Sequence, residues 1–310
     1  MKRYVTIDGG TTNTRISLVE EGRVKDTLRL SLGARANAEE KGVLDLAVKQ
    51  GIAALLEKHS LGEADIVACL ASGMITSDMG LYTVAHIKAP AGIAELHRAM
   101  ATTALPHICG IPFYFIPGVK TEGTLAQSDL MRGEETELFG LFDGVPENAT
   151  VILPGSHSKI IRVDEKGRIA TFKTMLTGEM LASLSAYTIL KASVDIKEGS
   201  LEESALLDGY AYAEAHGINE ALFKVRVMRQ ALGASHNEAY SFLLGAVLHG
   251  EVSEIIKEGR KRIYVGGRLS IKEATVALLN YLGKEAVAVD EDAVNASTAR
   301  GLVRIYEYTE

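Results

Sequence analysis

The fold of this chain is decided by residues 4–19, YVTIDGGTTNTRISLV. Two apolar runs, 4–7 and 16–19, enclose a short polar segment that contains a pair of glycines. Glycine lets the backbone turn tightly and brings its N–H groups close to an anion. The pattern predicts two strands joined by a turn that fits a phosphate group, and an ordinary glycine-rich hairpin is the alternative.

The polar segment supplies the groups that a phosphate site needs. Asp8 ends the first predicted strand, where a carboxylate can hold a metal ion through water. A carboxylate beside a phosphate is repelled unless a cation lies between them, so the pair favours a bound Mg²⁺. The candidate residues for binding the phosphates of a nucleotide are Gly9, Gly10, Thr11, Thr12, Asn13 and Arg15.

The composition argues against several classes of function. The chain has 310 residues, a hydrophobic content of 47% and a net charge of -7, with acidic and basic residues interspersed. This charge pattern does not suit nucleic acid or an anionic membrane as a partner. Two isolated cysteines, Cys69 and Cys109, cannot form a cysteine-based zinc site and fit a reducing cytoplasm. With no leader and no apolar run of bilayer length, we expect a cytoplasmic protein that binds small molecules. The sequence does not determine the oligomeric state, and a homodimer is one of the options that it allows.

The opening pattern recurs in the second half of the chain. Residues 150–163 again read as a strand, a polar turn and a strand, and a third strand follows residue 167. Glycine, proline and asparagine at 144–148 mark a break between the halves. We therefore expect α/β domains at residues 1–145 and 146–290, and a C-terminal helix within 291–310 that packs back on the first domain.

Periodicity predicts the remaining elements. Further strands are predicted at 24–30, 66–70, 111–116, 262–265 and 286–289. Helices are predicted at 43–56, 93–103 and 134–141, across much of 177–250, and after residues 270 and 292. A long polar loop is predicted at 117–129, and long loops in compact domains are often functional.

The polar turn of the second half is GSHSK, residues 155–159. Two hydroxyls, an imidazole and a cation suit phosphate oxygens, which makes Gly155, Ser156, His157, Ser158 and Lys159 candidates for binding the nucleotide. A polar hairpin tip is the structural alternative. A Ser–His nucleophile is the catalytic alternative, but the second glycine of a GxSxG elbow is missing and a strand follows the turn. The chain also lacks a P-loop and a dinucleotide fingerprint, so the nucleotide must be held in another way.

Glycines mark two more candidate contacts with the nucleotide. Residues 265–270, VGGRLS, follow a strand and open a helix, so Gly266, Gly267 and Arg268 could lie against an adenosine. Gly245 lies in a helical run of small and apolar residues, which suits a hinge or a crossing helix. A simple strand-to-helix turn and plain core packing are the respective alternatives.

The densest polar cluster is MRGEETELFG, residues 131–140, where a loop becomes a helix. Carboxylates in a first helical turn interact favourably with the helix dipole. They also supply a base that could deprotonate a sugar hydroxyl, and Arg132 offers a bidentate fork for a substrate carboxylate. A solvated helix N-terminus is the alternative.

In this order, the segments resemble the superfamily of sugar kinases, heat-shock-70 proteins and actin. More narrowly, the chain resembles the 2-keto-3-deoxygalactonokinase family. The resemblance covers nearly the whole chain and is carried by IDGGTTNTR at 7–15, MRGEETELFG at 131–140, LPGSHSK at 153–159, MLTGE at 175–179, FLLGAVLHGEV at 242–252 and VGGRLS at 265–270. It implies a two-domain actin-like ATPase fold of the ribonuclease H-like type, with a nucleotide cleft between the domains.

The resemblance also implies a reaction, namely transfer of the ATP γ-phosphate, with Mg²⁺, to the 6-hydroxyl of 2-keto-3-deoxygalactonate in galactonate breakdown. Many sugar kinases of the superfamily carry a catalytic aspartate about seven residues before a glycine at this helix start. Counting back from Gly140 reaches Gly133 and Glu134, so a glutamate replaces the expected aspartate. We expect Glu134 to be the base, with Glu135 and then Asp129 as alternatives, and Asp8 to act catalytically as a metal ligand. The residues expected at the sugar are Met74, Arg132, Gly133, Thr177 and Glu179.

Other functions fit the same fold. The substrate could be the epimer 2-keto-3-deoxygluconate or a neutral sugar, although the cysteine-rich zinc motif of many bacterial glucokinase relatives has no counterpart here. A non-enzymatic, ATP-dependent switch that binds a protein is the third hypothesis. Slow ATP hydrolysis without any dependence on sugar would favour such a switch.

Overall fold

The chain divides into two units, each built on a central sheet. The computed structural model describes residues 1–194, 201–257, 262–267 and 269–309. Unit 1 comprises Met1–Glu147, Asp164–Thr171 and Glu291–Glu310, and unit 2 comprises Asn148–Val163 and Phe172–Asp290.

Unit 1 contains a six-stranded sheet and a small three-stranded sheet. Its strands are β1 (Arg3–Gly9), β2 (Thr14–Glu20), β3 (Arg23–Leu30), β4 (Ala68–Gly73), β5 (Ile87–Lys88), β6 (Ala101–Thr103), β7 (Phe113–Phe115), β8 (Val119–Thr121) and β9 (Asp129–Met131). The larger sheet has the order β3-β2-β1-β4-β7-β6, and the smaller one has the order β5-β8-β9. The helices of unit 1 are α1 (Ala34–Glu39), α2 (Val43–Lys58), α3 (Ile93–Arg98) and α4 (Glu134–Leu141).

The first three strands form the predicted antiparallel meander, and β4 then pairs with β1 in parallel. Alternate residues of a strand point to opposite faces of the sheet. Val5, Ile7 and Ile16 lie in the same buried cluster as the apolar residues of α2. Asp8 and Arg15, which are direct partners across β1 and β2, therefore lie on the other, polar face.

Unit 2 repeats this plan with a five-stranded sheet in the order β12-β11-β10-β13-β14. The strands are β10 (Thr150–Leu153), β11 (Ser158–Val163), β12 (Ile169–Met175), β13 (Ile263–Val265) and β14 (Ala286–Ala288), and β12 begins in the segment assigned to unit 1. The helices of unit 2 are α5 (Thr177–Tyr187), α6 (Glu203–His216), α7 (Ile218–Ala231), α8 (His236–Lys257) and α9 (Leu269–Tyr281). As in unit 1, an antiparallel hairpin, β10–β11, is followed in the sheet by a parallel strand, β13.

The last helix, α10 (Glu291–Tyr306), belongs to unit 1 and packs against α4. Glycines make the close approach: a Cβ at Gly140 would overlap the Ser297 carbonyl, and a Cβ at Gly301 would overlap the Thr136 carbonyl. The backbone of α4, which carries the predicted base at its start, is therefore in close contact with the backbone of α10.

Several predicted elements differ from the structure. The helix predicted at 93–103 ends at Arg98, because Ala101–Thr103 pair antiparallel with Phe113–Phe115 as an edge strand. The loop predicted at 117–129 contains β8, which pairs with β5 and β9. The strand predicted at 66–70 begins at Ala68 and extends to Gly73, which places Ser72 and Gly73 inside the sheet. Among the described residues, no helix is both long and apolar enough to cross a membrane.

Candidate active site

The first turn, residues 9–14, is closed by its own backbone and supported by the first residues of α1. The Gly10 N–H donates to the Asn13 carbonyl (2.8 Å). The N–H groups of Ala34 and Arg35 donate to the carbonyls of Gly10 and Thr11, both at 3.0 Å. Thr12 and Asn13 lie exposed at the tip, with Asn13 Nδ2 donating to Thr12 Oγ1 (2.9 Å). The tip thus presents a hydroxyl, an amide and a rigid backbone to a ligand.

Three glycines bring distant segments of unit 1 together beside this turn. Gly9 ends β1 and is the parallel partner of Gly73 at the end of β4. Gly73 has φ +82° and Gly133 has φ +114°, conformations that L side chains rarely adopt. A Cβ at Gly133 would lie 3.2 Å from the Gly73 Cα, and a Cβ at Gly73 would overlap the Gly9 carbonyl. Asp8, Met74 and Glu134, each next to one of these glycines, are therefore brought to one place.

Asp8 and Arg15 form a loose ion pair on the polar face of the sheet. Arg15 Nη1 lies 3.7 Å from Asp8 Oδ2, and the side chains are 45% and 30% exposed. Burial raises the pKa of Asp8, Arg15 opposes that rise, and the negative charge of Glu134 adds to it. A cavity of about 180 Å³ lies between this face and α10, lined by both side chains. Asp8 therefore has room for a ligand and a surplus of negative charge nearby.

The start of α4 adds three more carboxylates. Glu134 Oε2 accepts from the Arg132 N–H (3.0 Å), which fixes the side chain at the helix start. Burial, with the charges of Glu134 and Asp8 next, raises the pKa of Glu137 to about 8. Sequence reasoning missed Glu137, although its position three residues after Glu134 puts both on one helix face. Within the acidic group formed by Asp8, Glu134, Glu135 and Glu137, burial and mutual repulsion favour protonation, and among the described residues no three or more such side chains are arranged to hold a metal ion.

Glu135 is less suited than Glu134 to be the base. Its side chain is buried, and both carboxylate oxygens accept from the Gly133 N–H at 2.8 Å. Burial, and then the charge of Glu134, raises its pKa to about 7. The buried Glu135 carboxylate is therefore occupied by the N–H of Gly133, the N-cap residue of α4. The third choice, Asp129, lies in the small sheet at the start of β9.

Arg132 contacts the protein in a way that sequence reasoning did not foresee. Its guanidinium donates to the Thr76 carbonyl (2.9 Å) and hydroxyl, to the Val84 carbonyl (2.9 Å) and to His86 Nδ1 (3.1 Å). Burial, and then the charge of Arg132, lowers the pKa of His86 to about 4, so the ring is a neutral acceptor at pH 7. The predicted fork is therefore engaged by the loop that follows Met74, and Arg132 ties this loop to the start of α4.

In unit 2, the second turn lies against the N-terminus of α5. The N–H groups of Gly178 and Glu179 donate to the carbonyls of Gly155 (3.1 Å) and Ser156 (3.0 Å). A Cβ at Gly178 would overlap the Gly155 carbonyl, so this contact requires glycine. Ser156 and His157 are exposed at the tip, whereas Ser158 and Lys159 are buried. The exposed pair and the turn backbone are thus the groups that a ligand can reach.

His157 pairs with an acid and not with a serine. Its Nε2 lies 2.6 Å from Glu179 Oε2, in an exposed pair. Lys159 Nζ donates to the His157 carbonyl over 3.4 Å. A nucleophilic serine needs the imidazole as its base. The observed pairing therefore favours the phosphate-turn interpretation over the Ser–His one.

Two more predicted residues of unit 2 are engaged by the protein itself. Thr177 is buried, and its hydroxyl donates to Glu251 Oε2 (2.6 Å), so this hydroxyl is already engaged within the protein. Gly245 is buried where α8 crosses α6, and a Cβ there would overlap the Leu206 carbonyl. Core packing therefore accounts for Gly245. Glu251 was not singled out from the sequence, because only the folded chain brings α8 to α5.

The glycine pair of residues 265–270 lies directly behind the second turn. The Gly266 N–H donates to the Ile152 carbonyl (2.9 Å), and a Cβ at Gly267 (φ +74°) would overlap the Pro154 carbonyl. The two glycines thus pack against the end of β10. The third residue of the predicted adenosine contact, Arg268, lies outside the described residues.

Two units that each carry a polar turn on an antiparallel hairpin are typical of the actin-like ATPase fold, the fold class of this chain. The chain belongs to the 2-keto-3-deoxy-galactonokinase family, whose profile matches residues 8–305. Its members are carbohydrate kinases. The expected family, fold class and enzyme class are thereby confirmed.

Individual relatives agree with this assignment. The chain is 26% identical over 260 residues to a probable 2-dehydro-3-deoxygalactonokinase of Rhizobium meliloti, covering 81% of this chain and 79% of the relative. A crystal structure from Sinorhizobium meliloti, described as a candidate 2-dehydro-3-deoxygalactonokinase, superposes with a TM-score of 0.80 at 23% identity and covers 99% and 98% of the two chains. Ligand-bound xylulose kinase from Lactobacillus acidophilus has a TM-score of 0.54 at 10% identity, with coverage of 99% and 89%. These two structures show a shared fold.

Proposed function

We propose that this kinase transfers the γ-phosphate of ATP to the 6-hydroxyl of 2-keto-3-deoxygalactonate. Family membership supports the substrate. The observation that carries the proposed chemistry is the position of Glu134, which begins α4 and whose charge acts on Asp8 beside the first turn. In the proposed division of labour, residues 1–145 bind the sugar and the transferred phosphate, and residues 146–290 bind the nucleotide. We also infer a cytoplasmic location, since ATP is the phosphate donor and Cys69 and Cys109 are free thiols.

In this proposal Glu134 is the general base. It accepts the proton of the 6-hydroxyl as the hydroxyl oxygen forms its bond to the γ-phosphorus and the bond to the β-phosphate oxygen breaks, so ADP leaves. Most of the acceleration in phosphoryl transfer comes from alignment and charge stabilisation. The backbone and side chains of Gly10, Thr11 and Thr12 would align the phosphate, and Arg15 would balance its charge.

The acidic group beside the first turn fits Mg²⁺. Hard oxygen donors are what this ion prefers, and Mg²⁺ is usually held by one or two carboxylates together with phosphates and water. Asp8 is the candidate carboxylate, because it lies beside the first turn and the negative charge of Glu134 adds to the rise in its pKa that burial causes. When bound, Mg²⁺ would neutralise charge on the phosphates.

Sugar recognition is assigned to the loop that begins at Met74. Met74 is half-buried and directly follows Gly73, at the meeting point with Gly133. Arg132 holds this loop through Thr76, Val84 and His86. Arg132 thus acts on the sugar by positioning the loop.

The test is ADP release by the purified protein with Mg²⁺ and ATP. The acceptors are 2-keto-3-deoxygalactonate, its gluconate epimer, glucose and no sugar. Release of ADP driven selectively by the galactonate compound supports the proposal. Selective release with the epimer or with glucose would identify that sugar as the substrate instead. A rate of ATP hydrolysis that is the same with and without each sugar would contradict a kinase for any sugar of this panel and would favour the ATP-dependent switch.

A further inference from the structure

We propose that Glu251, on α8, is a positioning residue that shapes the second turn for the phosphates of ATP by holding Thr177 and Ser158. The inference rests on the proposed function only in taking residues 155–159 as a nucleotide contact. It assigns a role to a side chain that lies behind this turn and does not touch the ligand.

The contacts of Glu251 lead to the turn by two routes. Thr177 Oγ1 donates to Glu251 Oε2 (2.6 Å), and Thr177 is the first residue of α5. The next two residues of α5, Gly178 and Glu179, donate their N–H groups to the carbonyls of Gly155 and Ser156. The first route therefore fixes the helix start that holds the turn.

The second route passes through the turn itself. The Ser158 hydroxyl lies close enough to the Glu251 carboxyl to favour its charged form. Ser158 Oγ also accepts from the Gly155 N–H over 3.5 Å. Glu251 is thus linked to both ends of residues 155–158, and loss of its carboxyl would release both.

The environment of Glu251 suits an uncharged carboxylic acid. The residue is 2% exposed, and burial raises its pKa despite the two hydroxyl groups. Oε1 has no hydrogen-bond partner among the described residues. A buried carboxylate that lacks such a partner is costly, and neutralisation removes that cost. An uncharged Glu251 also adds no repulsion toward a nucleotide phosphate.

Two substitutions of Glu251 separate the effect of its hydrogen bonding from the effect of its charge. In Glu251→Gln a carbonyl oxygen remains to accept from the Thr177 hydroxyl and to face Ser158, whereas in Glu251→Leu both interactions are lost at similar volume. We expect Gln to keep the Kd for ATP within about threefold of the wild type and Leu to raise it about tenfold or more, because each lost hydrogen bond weakens the arrangement. The KM for the sugar should stay within about twofold in both variants.

The matched control is Glu254→Gln, which makes the same chemical change on the same helix. Glu254 pairs with Lys173 at the surface, so its replacement should leave nucleotide binding and turnover unchanged. Thermal unfolding of every variant checks that the fold is retained.

The experiment measures the Kd of ATP by titration calorimetry without sugar, and then the KM values of ATP and sugar. Because calorimetry needs no acceptor, the result is independent of which sugar the enzyme uses. A Gln variant as damaged as the Leu variant would overturn the proposal, as would equal increases in the KM of ATP and of sugar. An unchanged Kd in Glu251→Leu would also overturn it.

A second variant covers the case in which Glu251→Leu fails to fold. Thr177→Val removes one hydroxyl at nearly constant volume and should weaken ATP binding in the same direction. An unchanged Kd for ATP in Thr177→Val would overturn the proposal.

Discussion

Substitution of Glu135 by glutamine should change the pH dependence of stability in a calculable way. The side chain is buried, and its pKa is raised from 4.5 to about 7 in the folded protein. As the pH rises, the unfolded chain therefore releases this proton first, and the folded state loses stability between about pH 4.5 and 7. A difference of about 2.5 pH units corresponds to roughly 3 kcal/mol, which is fully lost above the folded pKa.

Glutamine cannot ionise, so Glu135→Gln should escape this loss. We expect the free energy of unfolding of the variant, relative to the wild type, to rise by roughly 2.5 kcal/mol between pH 5 and pH 8. The carbonyl oxygen of glutamine can still accept from the Gly133 N–H, which Glu135 binds in the native protein.

Urea unfolding, followed by circular dichroism in half-unit steps of pH, measures this difference. Glu57→Gln is the control, because Glu57 is exposed on α2 and the charge change is the same. If the difference between Glu135→Gln and the wild type stays constant from pH 5 to pH 8, as in the control, the reasoning about buried Glu135 is refuted.

The remaining predictions concern catalysis. Glu134→Gln should lower kcat by about 10²–10⁴ with little change in KM for ATP, because a general base is removed; near-normal turnover in a steady-state assay would exclude Glu134 as the base. Asp8→Ala should cost roughly 3 kcal/mol in transition-state stabilisation and weaken the dependence of the rate on Mg²⁺, as measured by Mg²⁺ titration; an unchanged titration would contradict the metal role. Arg132→Lys should raise the KM for the sugar more than for ATP, because lysine cannot hold Thr76, Val84 and His86 together; equal increases would count against loop positioning.

Local sequence patterns were sufficient for the parts of the fold that local chemistry determines. The hairpin around residues 9–14 follows from apolar runs that flank glycines, and the helix predicted at 134–141 has those bounds in the structure. The edge strand Ala101–Thr103 could not be predicted, since its partner, Phe113–Phe115, is supplied by a later segment. The helical pattern of the sequence continues to residue 103, although α3 ends at Arg98.

The candidate site also contains residues that local sequence patterns indicate and residues whose surroundings depend on distant segments. Asp8 and Glu134 could be selected as candidates because each lies at an end of a predicted element. Glu137 and Glu251 could not be selected from the sequence, because their environments arise only when α4 approaches β1 and α8 approaches α5. Arg132 was found, but its partners on the loop 76–86 were not, since no pattern in the sequence links these segments.

The meeting of Gly9, Gly73 and Gly133 has a consequence for how this enzyme can diverge. The three segments touch through main-chain atoms, so their mutual positions do not depend on which side chains come next in the sequence. Met74 can therefore vary while Asp8 and Glu134 keep their places. With Met74 at the sugar, as proposed above, single substitutions at that position would change the sugar preference without a compensating change at Asp8 or Glu134.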